Sequence, residues 1–130
     1  MSNRGAKALC VIVVADNPET IDGLHQYLSQ AGVASRSSRA LPTASMLKPK
    51  ADALVLFPDE FEDDDVVAKL TELRAAHPRL PILLVTGYAQ RFGRALKPDG
   101  RSLPPIVLPK PAFGWTIVDA VRAQASDEEA

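Results

Sequence analysis

Four short apolar runs, each stopped abruptly, set the limits on what this chain can fold into. They are Leu9-Cys10-Val11-Ile12-Val13-Val14, Ala53-Leu54-Val55-Leu56-Phe57, Pro81-Ile82-Leu83-Leu84-Val85 and Ile106-Val107-Leu108. The first three are continuous, without polar alternation, and rich in branched side chains. That is the pattern of strands buried on both faces. The runs end at Ala15-Asp16-Asn17-Pro18, Pro58, Thr86-Gly87-Tyr88 and Pro109-Lys110-Pro111. Between them the spacing changes to helical. Asn17 and Pro18 suit a helix start, and Ile21, Leu24, Tyr27 and Leu28 then form one stripe, with Gly32 as a C-terminal signal. Val66, Val67, Leu70 and Leu73 mark a second helix behind the acids Glu62 to Asp65, which favour the positive end of the helix dipole. Trp115, Ile117, Val118 and Val121 mark a last helix ending near Ala123.

Three weaker segments complete the pattern. Val33 to Arg39 is polar enough for a short edge strand, which needs less apolar surface than a central one. Leu41 to Leu47 and Ala89 to Leu96 read as short helices, and Pro98-Asp99-Gly100 as a turn. Strands and helices thus alternate about five times, which argues for an α/β domain with a parallel sheet covered on both faces. Placing the richest strands centrally gives a flavodoxin-like, doubly wound sheet of order 2-1-3-4-5. The domain is expected over residues 7–124, between a flexible N-terminus (1–6) and an acidic flexible tail (125–130). Ligands of such sheets bind beyond the carboxyl ends of the strands, which singles out Asp16, Phe57, Thr86 and Lys110.

At 130 residues the chain can bury one core, and its formal net charge of -1 gives no general attraction to nucleic acid or anionic membranes. No apolar stretch approaches the ~20 residues of a membrane span, and the polar start lacks a signal-peptide core. The one cysteine, Cys10, reads as a small core residue. A cytoplasmic location is the expectation. His25 and His77 have no metal-ligand spacing with other candidates, and no nucleophile–base pair is visible, so the chain is expected not to be an enzyme.

Val13-Val14-Ala15-Asp16-Asn17, Leu83-Leu84-Val85-Thr86-Gly87-Tyr88-Ala89 and Leu108-Pro109-Lys110-Pro111 resemble the first, fourth and fifth strands of receiver domains of bacterial two-component response regulators. The wording is especially similar to receivers of hybrid histidine kinases. The resemblance covers Lys7 to Gln124. It implies a CheY-like phosphorelay domain in which an aspartate ending strand three accepts a phosphoryl group. Acids on strands one and three would hold Mg²⁺. The lysine ammonium and threonine hydroxyl would bind phosphate oxygens.

The sequence departs from that pattern where the chemistry would occur. The acceptor position falls on Phe57, which has neither a nucleophile nor a metal-binding atom. Ala15 replaces one of two strand-one acids, and Val107 stands where an aromatic switch residue is usual. Asp16, Thr86 and Lys110 remain, with Lys110 expected to pair with Asp16. Magnesium binding is expected to be weak or absent, with Asp16 the one weak candidate ligand. The expectation is a pseudo-receiver that binds a protein partner, such as a histidine kinase or another signalling protein. The contact surface implied by the resemblance, for a partner or for a second copy in a homodimer, is the fourth helix, fifth strand and fifth helix. Phe57 would fill core space or plug the former phosphate pocket, and Glu60 to Asp65 would be a solvated helix start. Two alternatives stand beside this reading. Asp59 could be a displaced acceptor, although Pro58 would then interrupt the strand end. The arginine-rich segment Arg91 to Arg101 could sense a small ligand such as a nucleotide.

Overall fold

The computed structural model describes residues 9–42, 51–98, 100–110, 112 and 114–129, with 125–129 as backbone only. Strand β1 (Cys10–Val14) leads into helix α1 (Pro18–Gln30) and strand β2 (Ala34–Ser38). Strand β3 (Ala53–Leu56) is followed by a 3₁₀ turn, Pro58–Glu60, and helix α2 (Asp63–Ala76). Strand β4 (Ile82–Thr86) precedes a 3₁₀ turn, Ala89–Phe92, and the single-turn helix α3 (Gly93–Leu96). Strand β5 (Ile106–Pro109) and helix α4 (Gly114–Glu129) close the order. The five strands pair in parallel in the order β2-β1-β3-β4-β5, as expected from the apolar runs.

The continuous apolar runs are explained by a period of two with both faces covered. Val11, Val13, Val55, Leu83 and Val85 face α1 and α4, where they meet Leu24, Leu28, Ile117, Val118 and Val121. Ile12, Val14, Leu54, Leu56, Ile82 and Leu84 face the opposite way, against Val66, Leu70 and Leu73 of α2 and against Phe92. Each fully buried branched side chain contributes about 1.5–3 kcal/mol relative to exposure. β2 has no fully buried residue and lies at one edge, so a polar sequence is tolerated there. Asn17 caps α1 through its side chain, which accepts from the Glu19 amide. Gly32 takes the left-handed conformation after α1, at φ 81°, where a side chain would be strained.

Several local expectations are corrected. Tyr27 and Trp115 lie beside their helical stripes and are exposed. The Tyr27 ring packs on Gly114 so closely that a Cβ there would stand 2.6 Å from it. Cys10 is half-buried at the start of β1, and its amide donates to the Asp52 carboxylate at 2.8 Å. Residues 89–96 form a 3₁₀ turn running into one helical turn. α4 continues past Ala123 to Glu129, because neither proline nor glycine interrupts it after Gly114. Most of the expected helix Leu41 to Leu47 lies outside the described residues, as do Asp99 and Pro111. No described helix is long and apolar enough to cross a membrane.

Candidate functional site

The site is built on the turn that follows β3. The Phe57 amide donates to the Val14 carbonyl at 2.9 Å, carrying the β1 pairing one residue past Leu56. The phenyl ring joins the core facing α1 and α4 and is 8% exposed. It fills core space, in a cleft wall shared with Thr20, Leu24 and Ile117. Pro58 has no N–H and a fixed φ, so the ladder stops and the 3₁₀ turn begins. Proline thus opens a turn after the strand instead of interrupting the strand end.

Asp59 points towards β4 and β5. Its Oδ1 accepts from the Thr86 hydroxyl at 2.5 Å, and its Oδ2 accepts from the Gly87 amide at 3.0 Å. Lys110 Nζ lies 3.4 Å from the same Oδ2. The Thr86 oxygen accepts from the Tyr88 amide at 2.9 Å, which leaves its one hydrogen for Asp59. Burial pushes the Asp59 carboxyl up, but the Thr86 and Gly87 hydrogen bonds and the Lys110 ammonium outweigh it and hold the group below its ordinary value. The expected pairing of Lys110 with Asp16 is therefore corrected, because Asp59 reaches the lysine.

Glu60 points the other way, towards β1. Its Oε1 accepts from the Asp16 amide at 2.6 Å and the Asn17 amide at 2.8 Å, and its Oε2 from the Thr20 hydroxyl at 3.4 Å. These contacts correct the expectation of a solvated helix start at Glu60, and no local sequence signal marks so long-range a contact. Asp16 directs its carboxylate to Arg39, at 3.6 Å, while Arg39 Nε donates to the Asp16 carbonyl at 2.9 Å. Ala15 is fully buried, and its amide donates to Ser38 on the β2 side at 3.1 Å. Val107 is half-buried and lies opposite Leu84 in the ladder.

The structure thus brings together Asp59, Thr86 and Lys110, and leaves Asp16, Ala15, Phe57 and Val107 outside that contact. The Asp16 carboxylate is turned to a guanidinium, the Asp59 carboxylate is engaged by three donors, and no group of three His, Cys, Asp or Glu that could hold a metal occurs among the described residues. Of the other acids of the segment, Glu62 is the N-cap residue of α2 and Asp63 to Asp65 occupy its first turn, where they complement the positive end of the helix dipole. Arg91 stacks over the Tyr88 ring at 4.3 Å and pairs with Asp63 at 3.8 Å.

No protein-family model matches the sequence, and no match occurs among curated proteins. Solved structures do match. A response regulator receiver protein from Sinorhizobium medicae superposes with a TM-score of 0.73 at 20% identity, over 93% of this chain and 97% of that one. A two-component response regulator from Clostridium difficile gives 0.73 at 15% identity, over 94% and 99%. NtrX from Brucella abortus gives 0.72 at 19% identity over 94% of this chain, which spans 27% of NtrX. At these identities the likeness concerns architecture. Sheet order and superposition together establish that the chain has the CheY-like fold of response regulator receiver domains.

Proposed function

We propose that the chain is a receiver-fold signalling module that works by binding protein partners, without phosphoryl transfer and without enzymatic activity of its own. The observation that carries this reading is the convergence of Thr86 Oγ1, Gly87 N and Lys110 Nζ on the Asp59 carboxylate. The hydroxyl and ammonium that hold phosphate oxygens in the resembled family already hold an internal anion here. Phe57, at the position of the acceptor, supplies no nucleophile. Asp59 then serves as a permanent counter-anion that keeps the ends of β4 and β5 in one arrangement. The partner is a signalling protein such as a histidine kinase, or a second copy of the chain, in a cytoplasmic two-component pathway.

The test is incubation with acetyl phosphate and Mg²⁺ followed by intact-mass measurement. An unchanged mass is expected. A stable gain of one phosphoryl group overturns the reading. The proximity of Asp59 to Thr86 and Lys110 favours Asp59 as the acceptor in that event. Loss of the gain in Asp59→Asn would establish that second reading, and persistence would exclude it.

A further inference from the structure

The end of the domain opposite Asp59 carries a feature of different chemistry. The loops leading into β4 and β5 meet there, joined by the Leu103 amide donating to the Pro78 carbonyl at 2.8 Å. Between them and the last turns of α2 and α3 lies a cleft of about 450 Å³. Four cationic side chains line it, Arg74, Arg94, Lys97 and Arg101, with no carboxylate among the described residues of the lining. Its remaining walls are Thr71, small apolar side chains and the rings of Pro78 and Pro98.

Arg74 is the built part of this cleft. It is 8% exposed, on the otherwise apolar inner side of α2. Its Nη1 donates to the Ala95 and Lys97 carbonyls at 2.8 and 2.9 Å, and its Nε to the Ser102 hydroxyl at 2.9 Å. These bonds hold a charged group in place beside the chain that carries Lys97 and Arg101. Lys97 and Arg101 are exposed and reach the same space, while Arg94 is tied at the rim to the exposed Asp64 at 3.6 Å. The fold therefore divides the arginine-rich segment. Arg91 goes to Tyr88 and Asp63, and Arg94 and Arg101 go to the cleft.

A concave site of this size, lined by cationic side chains together with small apolar ones and proline rings, matches a ligand with a compact anion and a small organic part. Arginine forks and lysine ammonium groups are suited to phosphate oxygens. We propose that this cleft between α2, α3 and the β4 and β5 entry loops binds a phosphate-bearing small molecule of mononucleotide size. The site is independent of the Asp59 reading, since it lies at the other end of the sheet.

Calorimetric titration of the full chain at low salt tests it, with adenosine monophosphate, guanosine monophosphate, inorganic phosphate and adenosine as probes. Saturable binding of at least one nucleoside monophosphate is expected, with none of adenosine. The exposed pair Lys97→Glu and Arg101→Glu should lower that affinity at least about tenfold, or 1.4 kcal/mol, with Tm confirming a folded chain. Asp59→Asn should leave it unchanged. Absence of saturable binding by any probe overturns the proposal, as does binding indifferent to the double charge reversal. Equal affinity for inorganic phosphate overturns the mononucleotide assignment. Loss of binding in an Asp59→Asn chain that its Tm shows to be folded moves the ligand to the other end of the domain and equally overturns it.

Discussion

Asp59 and Thr86 meet side chain to side chain at 2.5 Å, across the carboxyl ends of β3 and β4. The contact is directional, because the Tyr88 amide occupies an acceptor site on the threonine oxygen. The carboxylate itself is 10% exposed, whereas Lys110 is 38% exposed, so the hydrogen bonds outweigh the screened ion pair as the source of stability.

Replacing Asp59 with Asn should destabilise the domain by about 1–2 kcal/mol near neutral pH, as loss of charge-assisted bonds predicts. The effect should depend on pH. The folded carboxyl titrates below its ordinary value, so ionised Asp59 contributes stability above the unfolded value of about 3.9 and loses it as pH falls through the lower folded value. Urea unfolding of both proteins at stepped pH should show the gap narrowing below about pH 4. A constant gap would mean that the carboxylate is not selectively stabilised by the fold.

Glu60→Ala should release the amides of Asp16 and Asn17, which its Oε1 holds at 2.6 and 2.8 Å. A cost of about 1 kcal/mol is expected, given two charge-assisted bonds in a largely solvated place. Hydrogen exchange provides the check: these two amides should exchange faster, while the amides of β4 keep their protection. Uniform loss of protection would show a general destabilisation instead.

Phe57→Ala should cost about 3 kcal/mol, because a ring at the margin of the core leaves a void beside Leu24 and Ile117. Phe57→Asp should be at least as destabilising and should not gain phosphoryl acceptance. Thermal unfolding and intact mass after acetyl phosphate treatment measure the two effects. Restored phosphorylation in Phe57→Asp would show that Asp59 does not block the donors.

Gly114→Ala should be unfavourable alone, since the new Cβ meets the Tyr27 ring 2.6 Å away. The ring is partly exposed and can move, which limits the cost to about 1 kcal/mol. In a Tyr27→Ala background the same change should become neutral or stabilising. A double-mutant cycle measures the coupling. Additive effects would show that the two residues do not meet in solution.

The fold was legible because its signals are local. Ile12 and Val13 are buried on opposite faces, and uninterrupted apolar runs report that directly. Helix stripes identified Leu28, Leu70 and Val121 as core but misjudged Tyr27 and Trp115, since a stripe's margin is decided by what packs against it. The site was legible in part. Thr86 and Lys110 were placed by position on strand ends, but their partner depended on where β3 stopped. Leu56 and Phe57 look alike as strand residues, and only the pairing with β1 and the turn at Pro58 decides that Asp59 reaches Thr86. Glu60 was invisible because its contacts are 43 and 44 residues away in the chain. Arg74, in an apolar helix stripe, was hidden for the same reason, its acceptors lying 21 to 28 residues on.

Asp59 and Glu60 are neighbours in the chain yet grip opposite flanks of the sheet. One peptide unit therefore works like the pivot of a seesaw set over the end of β3. The same short turn that sets Glu60 against the start of α1 also sets Asp59 against the ends of β4 and β5, so the two flanks share one anchor.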